Sequence, residues 1–170
     1  MCFDKLIIFG MLNLMIFLND DVMQITEEEY NQFMEVYPPL IFFVAKHKGL
    51  IDKGFKYEDF LDIPVAERLA FRDELFKDSK WMDKYVATHK KDLSDEEIEI
   101  ILGFKNFVAG EFMLLKYLKA YSILLQDKVA YGVLGLASDF EDFFGPNLPA
   151  YIKTVLLPFK GKIIFDGFLQ

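Results

Sequence analysis

The chain has 170 residues but only one cysteine, Cys2, and only two histidines, His47 and His89. A single cysteine excludes an intramolecular disulfide framework and a zinc site built from several thiolates. Both histidines lie beside lysines near predicted helix ends, where a cation meets the negative end of the helix dipole, and neither has a metal-motif partner. The chain also lacks a P-loop, a Rossmann fingerprint, an HExxH pair and a nucleophile elbow. We therefore expect no cofactor and no catalytic role for the histidines.

Apolar and aromatic side chains, by contrast, are abundant. Hydrophobic residues make up 53% of the chain, aromatic residues make up 16%, and 19 residues are phenylalanine. This composition excludes a disordered or collagen-like chain. The length is that of one domain with a sizeable core, or of a helical half joined to a sheet half.

Acidic residues outnumber basic residues by 27 to 19, which gives a formal net charge of −8. Residues 111–170 hold six lysines and six acidic residues, so the whole excess lies in residues 1–110. Proteins hold double-stranded DNA mainly with basic side chains that neutralise its phosphates, and an acidic chain has few of these to spare. The charge balance therefore argues against double-stranded DNA and favours a protein partner.

An uncharged segment of thirteen residues, LIIFGMLNLMIFL, runs from Leu6 to Leu18. It is too short to span a bilayer, which needs about 20 residues. A signal peptide would need a basic amino-terminal flank and a small-residue cleavage site, and both are missing. We interpret residues 1–22 as an apolar extension that packs on the rest of the fold, or as a segment preceding a true start at Met23. A signal or anchor segment is the less favoured alternative.

Residues 23–109 carry helical signals. Thr26 with Glu29 and Ser94 with Glu97 form capping boxes, and apolar residues follow each of them at helical spacing. The pair Pro38-Pro39 interrupts the first helix, so we expect a kink or two abutting helices. The apolar spacing keeps its phase across the prolines, so we expect one buried face to continue through them. Further helices are predicted over residues 57–62, 64–77 and from Asp78-Ser79 onward.

The pattern changes at Gly110, which we interpret as a helix stop. Residues 111–125 contain no breaker and no clean helical stripe, so they are predicted to form one long strand. The remaining predicted elements are a turn at 126–128, a return strand over 129–136, a short helix through Phe144 and a hairpin of 151–159 with 162–168 around Lys160-Gly161. Pro158 is expected at a sheet edge or a bulge, because it lacks an amide donor.

Three stretches in the second half and one in the first resemble a known but uncharacterised family. They are YEDFLDIPVAERLAFRDELF (57–76), LSDEEIEIILGFKNFVAGEFMLLKYL (93–118), YGVLGLASDFEDFFG (131–145) and LPAYIKTVLLPFKGKIIFDGFL (148–169). The chain is similar to a bacterial domain family with a hallmark close to "VLLPFKGKIIYDG", and the similarity covers roughly residues 23–170. Some members of that family are fused to a Cys-rich SEC-C zinc motif, which this chain lacks. The resemblance implies one helix-then-strand unit and supplies no mechanism.

Acidic clusters occur at residues 27–29, 95–99 and 139–142. Each begins a predicted helix, where negative charge is stabilised by the helix dipole, so we interpret them as capping groups. Asp166 differs because it lies in an apolar hairpin strand, where an unpaired carboxylate is costly. We expect it to reach solvent or to pair with Lys160 or Lys162. The alternative is a functional role in a metal-dependent hydrolase or nuclease, together with Glu111 or Asp142.

The hairpin over residues 151–165 mixes cations with aromatic side chains. Tyr151 and Lys153 share strand parity with Val155, Leu157 and Phe159. The simplest interpretation is an aromatic core face with solvated lysines. An exposed face of this kind can also bind a single-stranded nucleic acid. The candidate binding residues, whatever the ligand, are Tyr151, Lys153, Lys160, Lys162 and Asp166.

Together, these patterns predict an α+β protein with amino-terminal helices (23–109) packed on a small antiparallel sheet (110–170) around one shared core. The favoured function is a non-catalytic, cytoplasmic interaction or accessory module that binds a protein. The alternatives are the metal-dependent enzyme and the single-strand binder. We expect no metal, no membrane span and no catalytic residue.

Overall fold

The computed structural model describes residues 25–170, so the predictions for residues 1–22 lie outside the described residues. The chain divides into two compact units. The helical unit comprises Glu27–Asn106, and the sheet unit comprises residues 107–170 together with Ile25 and Thr26. Helices in the first half and an antiparallel sheet in the second confirm the predicted α+β class. The core shared by the two halves stays a prediction.

The helical unit contains five α-helices and one turn of 3-10 helix. Their bounds are α1 Glu27–His47, α2 Tyr57–Leu61, α3 Val65–Leu75, α4 Lys80–His89, α5 Asp95–Gly103 and the 3-10 turn Phe104–Asn106. The core of this unit is rich in aromatic side chains, with Phe33, Tyr37, Phe60 and Phe104 all at most 2% exposed. Within residues 25–170, no helix is both long enough and apolar enough to cross a membrane.

Helix α1 runs without a break through Pro38 and Pro39, so the expectation of two abutting helices is wrong. A proline inside a helix costs about 3 kcal/mol, because it removes a backbone donor and crowds the preceding turn. The buried face continues on both sides of the prolines, with Val36, Leu40 and Val44 fully buried. Burial of this continuous face offsets the cost of the prolines.

The capping box predicted at the start of α5 is confirmed. The Glu97 amide donates to Ser94 Oγ at 3.2 Å, and the Ser94 amide donates to the Glu97 carboxylate at 2.7 Å. The predicted stop at Gly110 is wrong, because the helix ends at Gly103 and Gly110 lies inside the first strand. Gly110 has φ +150°, a conformation that side chains with a Cβ rarely adopt, which explains a glycine within a strand.

The sheet unit contains five antiparallel strands and one short helix. Their bounds are β1 Val108–Tyr117, β2 Ser122–Gln126, β3 Val129–Val133, α6 Phe140–Phe144, β4 Ala150–Phe159 and β5 Lys162–Phe165. The strand order is β3-β2-β1-β4-β5. A parallel bridge joins Leu134 to Ile164, and the Leu134 amide donates to the Ile163 carbonyl at 2.9 Å. The two ends of the order therefore meet, and the sheet curls on itself.

The prediction of one long strand over 111–125 is wrong, because these residues form β1 and β2 with a turn between them. The turn is closed by the Leu118 amide, which donates to the Tyr121 carbonyl at 2.8 Å. Residues 118–121 include no glycine or proline, so the usual turn signals are missing. The turn at 126–128 and the hairpin around Lys160-Gly161 form where they were predicted.

The inside of the curled sheet is a single apolar cluster. Its buried members are Phe112, Leu114, Leu124, Val133, Phe140, Ile152, Leu156 and Phe165. Phe140 from α6 contacts Phe165 with ring centroids 4.8 Å apart, so the short helix adds to this core. Pro158 lies in β4 beyond Leu156, where the pairing with β1 stops, so its missing amide removes no bond from that ladder. On its other side Pro158 pairs with Ile163 of β5, so the expected edge position holds only on the side where β1 has ended.

Candidate binding surface

Tyr151 in β4 is the most exposed large hydrophobic side chain among the described residues, at 77%. It lies directly opposite Met113 of β1, and Met113 lies directly opposite Leu125 of β2. Residues that pair directly across antiparallel strands point to the same face of the sheet. Tyr151, Met113 and Leu125 therefore form one apolar row across three strands on the face opposite the core, which we call the outer row. Met113 and Leu125 are half-buried.

Charged side chains flank the outer row. Lys153 in β4 lies directly opposite Glu111 in β1, and both are exposed. Leu115, at the irregularity that separates Leu114 from Lys116, is 39% exposed and adds apolar surface. The surface is thus apolar along the outer row, with Lys153 and Glu111 beside Tyr151 and the exposed Lys116, which pairs with Ile123, next to Leu115.

The strands beneath the outer row are held by a packed interior that includes two tyrosines. The Tyr131 ring contacts Phe112 edge-on at 5.9 Å, and the Tyr117 hydroxyl donates to the Gly145 carbonyl at 2.8 Å. Burial raises the pKa of both phenols, so both stay neutral at physiological pH. This packed interior holds the strands that carry the outer row in place.

The structure brings only two of the five candidate binding residues together on the outer face. Tyr151 and Lys153 are neighbours there, as their shared parity indicated. Lys160 and Lys162 lie at the β4–β5 turn, nine residues along the strand from Tyr151, or about 30 Å at the rise of an extended chain. The residues between them, Val155, Leu157 and Phe159, are buried. The hairpin therefore does not present one continuous surface of cations and aromatic rings.

Asp166 is buried, at 2% exposure, so the expectation that it reaches solvent is wrong, and its pairing with Lys160 or Lys162 stays a prediction. The Phe168 amide donates to Asp166 Oδ1 at 3.2 Å, and the Thr154 hydroxyl lies 3.3 Å from the same oxygen. Gly167, with φ +85°, turns the chain between these residues. Beyond the turn, the Gln170 amide and carbonyl bond to the carbonyl and amide of Lys153 at 3.1 and 2.9 Å. The carboxylate thus holds a tight turn that returns the chain to β4.

The three acidic residues proposed for a metal-dependent enzyme occupy different settings. Glu111 is exposed on the outer face and Asp166 is buried in its turn. Asp142 caps α6, since its carboxylate accepts the Asp139 amide at 3.0 Å. Across residues 25–170, no group of three or more His, Cys, Asp or Glu side chains is placed to hold a metal ion. The acidic clusters predicted as capping groups do lie in the first turns of α1, α5 and α6.

Met113 and Leu125 are the members of the outer row that sequence reasoning missed. Both lie in the stretch predicted as one strand, where they could not face each other. The pairing depends on the turn at residues 118–121, which has no glycine or proline to mark it. Had the turn been placed, the two-residue period of strands would have put both side chains on the face of Tyr151.

No family model, no curated protein and no solved structure matches this chain. The resemblance to the bacterial family therefore stays a prediction, and the function rests on the geometry of this chain.

Proposed function

We propose that the protein is a non-catalytic module that binds a protein partner through the outer row. The observation that carries the proposal is the 77% exposure of Tyr151 at the end of an apolar row on a firmly packed sheet. An exposed aromatic side chain that continues into an apolar row, and does not stand alone, marks a surface that another molecule covers. Tyrosine is also among the residues that contribute most to protein interfaces.

The charges beside the outer row favour a protein over a nucleic acid. A single-strand binder needs a positively charged groove along the backbone of its ligand. Here Lys153 faces Glu111, Lys116 adds one separate cation, and the sheet unit has as many acidic as basic residues, so no continuous basic groove forms on this face. An apolar centre with a mixed polar rim is the composition of a protein interface.

The hallmark stretch of the resembling family, residues 155–167 here, supports the same assignment. It spans the end of β4, the Lys160-Gly161 turn, β5 and the Asp166 turn. These elements shape the sheet and return the chain to β4. They do not present a cluster of exposed reactive side chains. We propose that the chain is a cytoplasmic bacterial member of that family, since one cysteine suits a reducing compartment.

The test is partner capture by the full chain and by two matched variants. The Tyr151→Ser variant removes the exposed ring of the outer row. The Phe143→Ser variant removes an aromatic side chain that is 55% exposed in the same unit but lies in α6, outside the outer row. We expect a partner retained by the unmodified chain and by Phe143→Ser to be lost from Tyr151→Ser.

The captured partner is then purified and titrated against all three chains. Tyr151→Ser should weaken binding by about thirtyfold, the effect of removing an interface residue worth about 2 kcal/mol. Hydrogen exchange of β1 and β4 should slow in the complex. Equal affinity of Tyr151→Ser and the unmodified chain, or protection confined to other strands, would contradict the proposal. Binding of single-stranded DNA that Tyr151→Ser abolishes would replace it with the nucleic-acid alternative.

A further inference from the structure

Strand β1 carries two opposite charges on the outer face, one on each side of the outer row. Glu111 lies two residues before Met113, in a stretch where β1 pairs regularly with β4, so both side chains point to the outer face. Lys116 lies three residues after Met113, and strict alternation would turn it toward the core. The strand does not alternate strictly there, because its register shifts between Leu114 and Lys116.

The pairing of β1 with β2 shows where this shift places Lys116. Met113 pairs with Leu125, and Lys116 pairs with Ile123. Leu125 and Ile123 are two residues apart in β2, so they share a face, and the residues that pair with them point to that same face. Lys116 therefore lies on the outer face, two strand steps or about 7 Å from Met113. Glu111 lies at the same distance from Met113 in the opposite direction.

Within the described part of the chain, these charges have no ion-pair partners. Glu111 and Lys116 are both exposed, and among residues 25–170 neither lies within ion-pair distance of an opposite charge. Lys153, which lies opposite Glu111 in β4, is in the same position. Along β1 the outer face therefore passes from an acidic residue, through the apolar outer row, to a basic residue. A surface of this order is complementary to a second copy of itself that is turned through half a revolution.

We propose that two copies of the protein associate face to face through the outer row, about a two-fold axis that runs along that row. This inference rests on the proposed function, and it names a second copy of the chain as the partner. The axis brings each member of the outer row over its own counterpart in the other copy. At both ends of the contact, the Glu111 carboxylate of one copy then meets the Lys116 ammonium of the other. Lys153 lies beside each of these pairs.

The charges favour this axis over a two-fold axis that runs along the strands. An axis along β1 would place Glu111 over Glu111 and Lys116 over Lys116, and like charges repel. An axis along the outer row brings unlike charges together instead. Packed sheets cross at about 30°, which shifts each pair by about 3–4 Å at a distance of about 7 Å from the axis. A lysine side chain is long enough to span that shift.

The footprint of the contact indicates a dimer that forms reversibly. Three strands spaced by about 4.8 Å, each contributing about five residues at a rise of about 3.4 Å, give a face of about 14 by 17 Å on each copy. Side-chain relief enlarges this area, but it stays below the roughly 800 Å² that each partner of a stable complex contributes. We therefore expect monomer and dimer to exchange at chain concentrations between about 10 µM and about 1 mM.

The experiment is sedimentation velocity of the full chain over that concentration range, with two charge-reversal variants. Glu111→Lys leaves only cations beside the outer row, and Lys116→Glu leaves an acid at each end of β1. Each variant should associate with itself about tenfold more weakly than the unmodified chain does, because the two-fold axis uses each ion pair twice. An equimolar mixture of the two variants should associate as tightly as the unmodified chain, since every reversed charge then meets its opposite.

The matched control is the pair Asp52→Lys and Lys53→Glu, which reverses two charges in an exposed loop of the helical unit. These variants change the net charge by the same amounts, so they account for long-range attraction between unlike chains. Each should associate with itself as the unmodified chain does, and their mixture should associate no more tightly. Association regained by mixing Glu111→Lys with Lys116→Glu also shows that both variants are folded.

The outcomes separate this inference from the proposed function. A single monomeric species up to about 1 mM, or a dimer that both charge reversals leave unchanged, would overturn the inference. So would a dimer that mixing the two variants does not restore. The proposed function fails on a different measurement, which is capture of a protein partner that Tyr151→Ser leaves intact. A monomeric chain that captures another protein through Tyr151 would therefore refute the dimer and keep the proposed function.

Discussion

Asp166 shows how a single buried carboxylate can be structural. Its Oδ1 lies within hydrogen-bonding distance of the Phe168 amide and the Thr154 hydroxyl. The Thr154 hydroxyl also lies 2.8 Å from the Phe168 carbonyl. The Thr154 hydroxyl has one hydrogen, and the closer acceptor is the Phe168 carbonyl, so this bond joins β4 to the turn after β5. The Phe168 amide donates to Asp166 Oδ1, which offsets the burial of the carboxyl group.

Replacing Asp166 by alanine should lower the free energy of unfolding by about 1–3 kcal/mol, because the buried Phe168 amide loses its acceptor. Asp166→Asn keeps a carbonyl oxygen for the Phe168 amide, so its loss should be smaller. Urea unfolding measures both. The control is Asp52→Ala in an exposed loop of the helical unit. A variant Asp166→Ala as stable as Asp52→Ala would contradict the structural role.

At the scale of one element, α4 and α5 start with serines in different settings. Ser94 is an N-cap whose side chain accepts the Glu97 amide. Ser79 occupies the same position before α4, but its side chain makes no capping bond, and the Lys80 amide donates to Asp78 Oδ1 instead. The two serines occupy the same helical position, but only Ser94 contributes a capping hydrogen bond.

Ser94→Ala should therefore destabilise the protein by about 1 kcal/mol, the usual effect of losing an N-cap bond. Ser79→Ala should change the stability by less than about 0.5 kcal/mol, since it removes no such bond. Thermal or urea unfolding of the two variants, measured side by side, gives the stability that each one loses. Equal losses would mean that the capping bond of Ser94 contributes nothing.

The elements that sequence reasoning placed well are those with local chemical signals. The capping box at Ser94 and the Lys160-Gly161 turn carry residues whose side chains or backbone angles suit those positions. The apolar spacing also placed one continuous buried face across Pro38-Pro39, although it left open whether one helix or two carries that face. The turn that it misplaced, at Leu118–Tyr121, is closed by a backbone bond between residues that carry no turn signal.

Half of the candidate surface could be predicted, because strand parity is a local signal and the pairing between strands is not. Shared strand parity placed Tyr151 and Lys153 together, and both are exposed as neighbours in β4. Parity could not show that Val155 and Leu157 are buried, because burial depends on what covers a face and not on its period. The register of β4 against β1, which adds Met113 to the row, is set over some forty residues of chain and leaves no local signal.

At the scale of the whole molecule, four tyrosines link stability to alkaline pH. Burial raises the pKa of Tyr57, Tyr85, Tyr117 and Tyr131 above the ordinary value. Their phenols prefer to be neutral in the folded chain. The stability tied to them is complete below the pKa of the unfolded chain, about 10, and is lost as pH rises through the higher folded values.

The free energy of unfolding should therefore fall steadily from about pH 10 upward. Tyr85→Phe should make this decline shallower, because Tyr85 is only 6% exposed and the variant has no proton to lose there. Urea unfolding measured at a series of alkaline pH values tests both statements. A Tyr85→Phe variant whose stability declines as steeply as that of the unmodified chain would be inconsistent with them.

The bridge between Leu134 and Ile164 restricts how a neighbour can be recognised. There, the Leu134 amide is bonded to the Ile163 carbonyl, so these two main-chain groups are already used and cannot pair with an incoming strand. Recognition through the outer row depends instead on the shape and chemistry of the rings and alkyl groups that it displays. Its selectivity can then change through single side-chain replacements while the backbone scaffold stays the same.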